Sequence, residues 1–256
     1  MGRLRTLLVA ALAVPAIALA AEEHVRLDRA PIDATDLTSL QRGAKIYVNY
    51  CLGCHSAGYM RYNRLEDLGL TPQQIRENLI FTDAKIGDLM KNSMNPKEAK
   101  EWFGAAPPDL TVIARSRASP AGSGADWLYT YLRGFYLDSS RPTGWNNVVY
   151  RDVAMPHVLW QVQGEQELST DVVEIPLGNE EEVAKYEVQR LKLVRPGMMS
   201  PLEYDLFVRD LVNYMAYMAE PAKQTRIRMG IYVLLFLGIL FVLAYLLKKE
   251  YWKDVH

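Results

Sequence analysis

The chain has two cysteines among its 256 residues, Cys51 and Cys54, and His55 follows the second one directly. Two thiols and an imidazole at this spacing have four common uses: a disulfide, half of a zinc site, a thioredoxin-like redox pair, and covalent attachment of haem. A disulfide leaves His55 without a role. Zinc needs four tetrahedral ligands, which residues this close together supply poorly. A redox pair would follow a strand, whereas the residues before Cys51 favour a helix.

Haem attachment is the use that gives all three residues a role. In Cys-x-x-Cys-His each thiol adds to one vinyl group of the haem, and the histidine reaches the iron from the same loop. We therefore predict one covalently bound haem c, attached at Cys51 and Cys54, with His55 as an axial ligand of the iron.

A helix is predicted immediately before this motif. The segment LTSLQRGAKIYVNYC, residues 37–51, has apolar residues at helical spacing. Thr38 and Gln41 predict a capping box at its start. This helix would deliver Cys51 to the haem.

A second helix is predicted over SPLEYDLFVRDLVNYMAYMAEP, residues 200–221. Ser200 and Glu203 form a capping box, with Pro201 in the first turn, and Pro221 ends the helix. Its apolar stripe indicates a face that packs against the core.

The two helices resemble the terminal helices of a class I cytochrome c. Gly43 lies eight residues before Cys51, and Tyr47 lies four residues before it. In that family a glycine and an aromatic residue at these positions let the C-terminal helix cross closely. The resemblance implies that Leu211 and Tyr214 face this crossing.

The second axial ligand must come from a histidine or a methionine. Met155 lies in YRDVAMPHVLW, between the attachment motif and the last soluble helix, where a class I cytochrome places its methionine ligand. His157, Met198 and Met199 are the rivals. We favour Met155, and a thioether ligand predicts a high reduction potential. With both axial positions filled, only an electron can leave the metal.

Both ends of the chain indicate a membrane. Residues 1–20 contain two arginines, an apolar run and Ala-Leu-Ala, which predict a cleaved signal peptide, with a retained anchor as the alternative. Met229–Leu247 is 19 residues without a charge, about 28 Å of helix and one bilayer core. We expect a periplasmic haem domain over 21–225, a transmembrane anchor over 226–247, and a lysine-rich cytoplasmic tail over 248–256.

The charge is unevenly distributed. The net charge of −1 argues against a nucleic-acid binder. Residues 21–225 nevertheless hold 22 basic and 28 acidic residues, so the exported domain is acidic. This surface serves solubility, or it forms a docking face for a basic soluble partner.

Three segments of the chain resemble cytochrome c1, the haem c subunit of the cytochrome bc1 complex. They are HSAGYMRYNRLEDLGLT, WFGAAPPDLTVIARSR and VAMPHVLWQVQG. The likeness covers essentially the whole mature chain and is nearest to proteobacterial forms. It implies an electron-transport protein of the bacterial inner membrane, which passes electrons from a Rieske iron–sulfur protein to a soluble cytochrome c. Cytochrome b and a dimeric complex are implied as well. The alternatives are a haem sensor or peroxidase-like enzyme with an open axial position, and a tethered cytochrome that feeds a terminal oxidase.

The resemblance also assigns four residues to the haem pocket. Arg117 would pair with a haem propionate, and Trp127 matches an aromatic residue near the same propionate. Pro107 and Pro108 lack amide hydrogens and could lie against the haem face, or simply form a rigid turn. Any of these residues could instead have an ordinary surface or core role.

The predicted fold is mainly α: a class I cytochrome c-like haem domain with loop and short β-hairpin insertions, plus one C-terminal transmembrane helix. Residues 161–194 predict a short hairpin with a polar tip at 178–182. Because a second cysteine pair is absent, we expect the loops between Ala118 and Tyr150 to be held by packing alone.

Overall fold

The computed structural model describes residues 26–176 and 183–254. The predicted signal peptide and the acidic tip at 178–182 therefore lie outside the described residues. The helices are α1 (Leu37–Ile46), α2 (Pro72–Leu79), α3 (Pro96–Phe103), α4 (Ile113–Ser116), α5 (Gly124–Arg133), α6 (Trp160–Gln163), α7 (Pro201–Ala219) and α8 (Lys223–Tyr251). The strands are β1 (Ala57–Arg61), β2 (Leu89–Met90), β3 (Phe135–Leu137), β4 (Trp145–Asn147), β5 (Gly164–Pro176) and β6 (Val183–Pro196).

The centre of the domain is the crossing of α1 and α7. A Cβ atom built on Gly43 would lie 2.0 Å from the carbonyl oxygen of Asp210 and 2.7 Å from the Cβ of Tyr214, so only glycine fits at this point. The rings of Tyr47 and Tyr214 meet at 5.7 Å, and both residues are fully buried. Leu211 is fully buried as well. The close crossing implied by the class I resemblance is present.

The two predicted capping boxes have different outcomes. At the start of α7, the Ser200 hydroxyl accepts from the backbone N–H of Glu203, and the Glu203 side chain accepts in return, as predicted. At the start of α1, the prediction was wrong. The carboxylate of Asp36, two residues upstream of Thr38, accepts from the N–H of Ser39 and caps the helix.

A buried polar network ties α1 to α7 beneath the crossing. The carboxylate of Asp210 accepts hydrogen bonds from the Ser39 hydroxyl and from the side chains of Arg42 and Arg209. The side-chain amide of Asn213 donates to Ser39 Oγ at 3.0 Å. Because the carboxylate has these donors, its burial is compensated.

In the part of the chain that the structure describes, there are three antiparallel strand pairs. The pairs β1–β2 and β3–β4 are short, as expected, but β5 and β6 have 13 and 14 residues and form a long hairpin. At its base, the Gln166 amide donates to the carbonyl oxygens of Arg133 and Phe135, at 3.0 Å each. The hairpin predicted over residues 161–194 is therefore present, and its strands are longer than expected.

Helix α8 projects from the domain. Among the described residues it is the one helix long and apolar enough to cross a membrane, judged by length and composition. It has no buried residue. The turn between α7 and α8 contains Pro221, and Arg226 donates to the carboxylate of Glu220 at 2.7 Å across this turn. The helix includes the whole predicted span 226–247.

Candidate haem site

The attachment motif is shaped by the end of the first helix. A π-helical turn over Tyr47–Cys51 continues α1, and Cys51 is buried at its end. The carbonyl oxygen of Cys51 then accepts from the N–H groups of Cys54 and His55, at 3.1 and 2.8 Å. This turn places both thiols and the imidazole at one end of α1.

Both thiols are free. Cys51 is buried, and burial raises the pKa of its thiol to about 12. Attachment of haem needs a free thiol at each of these positions, and both are present. No group of three or more potential metal ligands from His, Cys, Asp and Glu occurs within the part of the chain that the structure describes. The zinc alternative therefore has no support here.

The imidazole of His55 is fixed from its Nδ1 side. This nitrogen lies 2.8 Å from the carbonyl oxygen of Pro108. A carbonyl oxygen can only accept, so Nδ1 carries the proton and the lone pair is on Nε2, the usual arrangement for a metal-binding histidine. Burial also lowers the pKa of His55, which favours the neutral ring that binds iron. The geometry fits an axial haem ligand.

The segment that supplies this carbonyl is tied to the attachment loop. The N–H of Leu110 donates to the carbonyl oxygen of Ser56 at 2.9 Å, and the N–H of Gly58 donates to the carboxylate of Asp109 at 2.6 Å. Pro108 is thereby held beside His55. From the sequence, this proline could lie against a haem face or form a rigid turn, and the role of its carbonyl oxygen was missed.

Met155 lies in a loop that several polar contacts hold. Arg141 donates to the carboxylate of Asp152 at 2.9 Å and to its carbonyl oxygen at 2.8 Å. Asn146 accepts from the N–H of Asp152 at 2.9 Å. Asp152 itself has a φ of 59°, the left-handed region that few side chains adopt. The expectation that packing alone holds these loops was therefore wrong.

The thioether of Met155 is partly buried against the core, and its sulfur accepts a hydrogen bond from the hydroxyl of Tyr131 at 3.4 Å. Sequence reasoning missed Tyr131. A signal was available, because Tyr131 follows Trp127 by four residues and so lies on the same face of α5.

The other candidates for the second axial ligand, His157 and Met198, lie in environments that differ from that of Met155. The ring of His157 is stacked on Phe135 at 4.7 Å and meets the edge of Trp145 at 5.0 Å. Burial lowers the pKa of His157 to about 4. Met198 is 82% exposed, which does not suit a ligand inside a haem pocket. Met199 is partly buried against the core, as Met155 is. Ligation of the iron by Met155 stays a prediction, based on the position of its loop between the attachment motif and α7.

Arg117 and Trp127 are adjacent, as the resemblance implied. The guanidinium of Arg117 lies 4.6 Å above the ring of Trp127 and 5.6 Å from the ring of Tyr150. Within the described residues, Arg117 has ring contacts but no ion pair. The neighbouring rings hold this guanidinium in place, and it can donate hydrogen bonds to a carboxylate such as a haem propionate.

Comparison with known proteins identifies the family. The model of the "Cytochrome C1 family" matches residues 28–92 and 200–255, which include the attachment motif and both crossing helices. A cytochrome c1 of Allochromatium vinosum is 52% identical over 246 residues, 96% of each chain. The chain belongs to the cytochrome c1 family. A cytochrome c1 of Rhodospirillum rubrum is 28% identical over 251 residues, which span 86% of this chain and 83% of that one.

As a member of the cytochrome c1 family, the chain carries one covalently bound haem c and acts as an electron-transfer subunit of an oxidoreductase complex. The role that goes with the family is that of the c1 subunit of the cytochrome bc1 complex, and α8 anchors the protein in a membrane. The family does not favour a sensor, a peroxidase-like enzyme or an oxidase-feeding cytochrome. One relative has a different name: the ammonia monooxygenase gamma subunit of Nitrosomonas europaea is 51% identical over 256 residues, the full length of both chains.

Proposed function

We propose that this chain takes single electrons from a Rieske iron–sulfur protein and passes them to a soluble cytochrome c, as the c1 subunit of a cytochrome bc1 complex. The observation that carries the proposal is the imidazole of His55, oriented by the carbonyl oxygen of Pro108 at 2.8 Å beside two free thiols. This arrangement offers Nε2 to a metal and two sulfur atoms to a covalently attached group. The haem supplies a one-electron centre when it is bound.

In this proposal Cys51 and Cys54 attach the haem, and His55 and Met155 are its axial ligands. The protein's part is to hold these four groups still. Ligands that keep their positions when the iron changes its oxidation state favour fast electron transfer. Because His55 and Met155 would fill both axial positions of the iron, no substrate could bind to it. The chain therefore carries out neither proton transfer nor bond cleavage.

Arg117 and Trp127 would bind a propionate. A guanidinium gives a carboxylate two parallel hydrogen bonds, and the ring of Trp127, 4.6 Å away, holds the guanidinium in one orientation. Pro107 and Pro108 would pack beside the haem without unpaired donors. Replacement of Arg117 by Gln should lower the stability of the holoprotein and change the pH dependence of its potential. A potential equal to that of the wild type at every pH would contradict this role.

The proposed topology follows the sequence pattern. Residues 1–20 would be a cleaved signal peptide, residues 21–225 a periplasmic haem domain, and residues 226–247 the anchor, with residues 248–256 in the cytoplasm. The complex would be dimeric. Protease treatment of sealed spheroplasts tests the orientation: the haem domain should be digested while an epitope at the C-terminus survives. Protection of the haem domain would refute it.

The name of the Nitrosomonas relative suggests a second assembly, in which the chain would be a subunit of a monooxygenase. Purification of the intact complex from detergent-solubilised membranes separates the two. Our proposal requires that a b-type haem protein and an iron–sulfur protein co-purify with the chain in stoichiometric amounts. Co-purification with monooxygenase subunits in their place would refute it.

A further inference from the structure

Among the described residues, one side-chain hydrogen bond reaches the sulfur of the proposed axial methionine. The hydroxyl of Tyr131 lies 3.4 Å from Sδ of Met155 and donates to it. This distance is within the range of hydrogen bonds to sulfur, which is larger than oxygen. We propose that Tyr131 is a positioning residue that fixes the Met155 thioether and raises the reduction potential of the haem. The inference rests on the proposed ligation of iron by Met155.

The surroundings of Tyr131 leave its hydroxyl little freedom. Its ring is stacked on Trp127, with centroids 4.7 Å apart and planes 13° from parallel, and it meets the edge of Phe135 at 5.1 Å. The residue is 8% exposed. Since the neighbouring rings restrict both torsions of the side chain, the phenol oxygen is held in one place, beside the sulfur.

The backbone of Tyr131 is tied to the loop that leads to Met155. The side-chain amide of Asn147 donates to the carbonyl oxygen of Tyr131 at 2.8 Å. The side-chain oxygen of Asn147 accepts from the N–H of Val149 at 2.9 Å. Asn147 is fully buried, so these bonds are shielded from water. Asn147 therefore links helix α5 to the segment that leads to Met155, which helps to hold the Tyr131 hydroxyl near the sulfur.

The electronic consequence follows from the chemistry of a thioether. Its sulfur has two lone pairs, and in this site one would bind the iron while the other accepts the tyrosine proton. A hydrogen bond withdraws electron density from the sulfur and makes it a weaker donor. Ferric iron depends on that donation more than ferrous iron does, so the bond favours the reduced form.

The chain offers a matched control. The hydroxyl of Tyr214 donates to Sδ of Met90 at 3.6 Å, and both residues are fully buried. This pair has the same chemistry but lies in the helix crossing, and Met90 is not a proposed ligand. Loss of either hydroxyl removes one neutral hydrogen bond to sulfur. Only loss of the Tyr131 hydroxyl should affect the haem.

The test is a redox titration of the full-length holoprotein in its complex. Tyr131→Phe keeps the ring contacts and should shift the electron-exchange equilibrium toward the oxidised form by about three- to tenfold, the effect of one hydrogen bond, which is about 30 to 60 mV in potential. The weak far-red band of methionine-ligated ferric haem should remain. Tyr214→Phe should leave the potential unchanged. An unchanged potential in Tyr131→Phe, or an equal shift in both variants, would overturn the inference.

Three further measurements test the inference. In a Met155→Leu background, Tyr131→Phe should produce no additional shift, because the bond acts through sulfur; an undiminished shift would overturn the inference. If Met155→Leu alone leaves the far-red band and the potential intact, the ligand assignment in the proposed function fails instead. If Tyr131→Phe does not assemble, a ring-fluorinated tyrosine placed at position 131 is a stronger donor of the same shape, and the potential must rise.

Discussion

The close contact of α1 with α7 at Gly43 gives a quantitative prediction. A Cβ atom on residue 43 would lie 2.0 Å from the carbonyl oxygen of Asp210, while ordinary contact begins at 3.4 Å. In Gly43→Ala, α1 and α7 must therefore separate by about 1.4 Å, because the obstacle is backbone rather than a flexible side chain. A gap of about 1 Å removes up to half of the dispersion energy of each affected contact.

The expected loss of stability follows from two opposing effects. Overpacking of a well-packed core costs up to about 3 kcal/mol. Alanine is intrinsically more favourable than glycine inside a helix, which stabilises the folded state by about 1 kcal/mol. The net destabilisation should therefore be about 2 kcal/mol, which lowers the melting temperature of a domain of this size by about 4 to 8 °C.

The assay is thermal unfolding of the detergent-solubilised holoprotein, followed by far-UV circular dichroism. Gly87→Ala is the control, since a Cβ atom there meets nothing within 4 Å. It should melt within a degree or two of the wild type. If Gly43→Ala has the same melting temperature as Gly87→Ala, the two helices are packed less closely than the structure indicates, and the predicted overpacking is refuted.

Three more predictions concern the site and its support. Met155→Leu should abolish the far-red band and let the reduced protein bind carbon monoxide rapidly; an unchanged spectrum would contradict Met155 as ligand. Burial alone would raise the pKa of Asp210, but its hydrogen bonds, that from Arg42 foremost, hold it below the ordinary value. The ionised carboxylate therefore stabilises the folded protein at pH values above its unfolded-state pKa, and this stabilisation is lost as the pH falls through its folded-state pKa. Below about pH 4, the free energy of unfolding of the wild type should fall more steeply with decreasing pH than that of Asp210→Asn. Parallel slopes in acid denaturation would refute this. Asp152→Ala should be less stable than Asp152→Gly by about 1 kcal/mol in chemical denaturation, because φ is 59°; equal stabilities would show that the turn is unstrained.

Local signals predicted the helical part of the fold well. The start of α7 at Ser200 depends on side chains three residues apart, and Pro221 stops the helix by covalent geometry. The start of α1 was ambiguous, because Asp36 and Thr38 are both good N-caps. Asp36 is the N-cap residue in the structure, since an ionised carboxylate is a stronger hydrogen-bond acceptor than a hydroxyl group.

Contacts between distant segments could not be predicted from the sequence alone. Tyr131 precedes Met155 by 24 residues. Its spacing from Trp127 places it on the same face of α5, but that spacing does not indicate that its hydroxyl meets a thioether. The acceptor for His55 is a backbone carbonyl 53 residues away, which any residue at position 108 could supply. The resemblance to cytochrome c1 brought Arg117 and Trp127 together, whereas spacing alone gave no reason to pair them.

The central claim is that a haem is covalently bound at Cys51 and Cys54, and the mass of the denatured polypeptide tests it most directly. After unfolding and extraction with acidified acetone, the purified full-length chain should stay coloured and exceed its polypeptide mass by that of one haem. Replacement of both cysteines by alanine should remove the colour and the added mass together. A colourless wild-type polypeptide with no added mass would contradict the account.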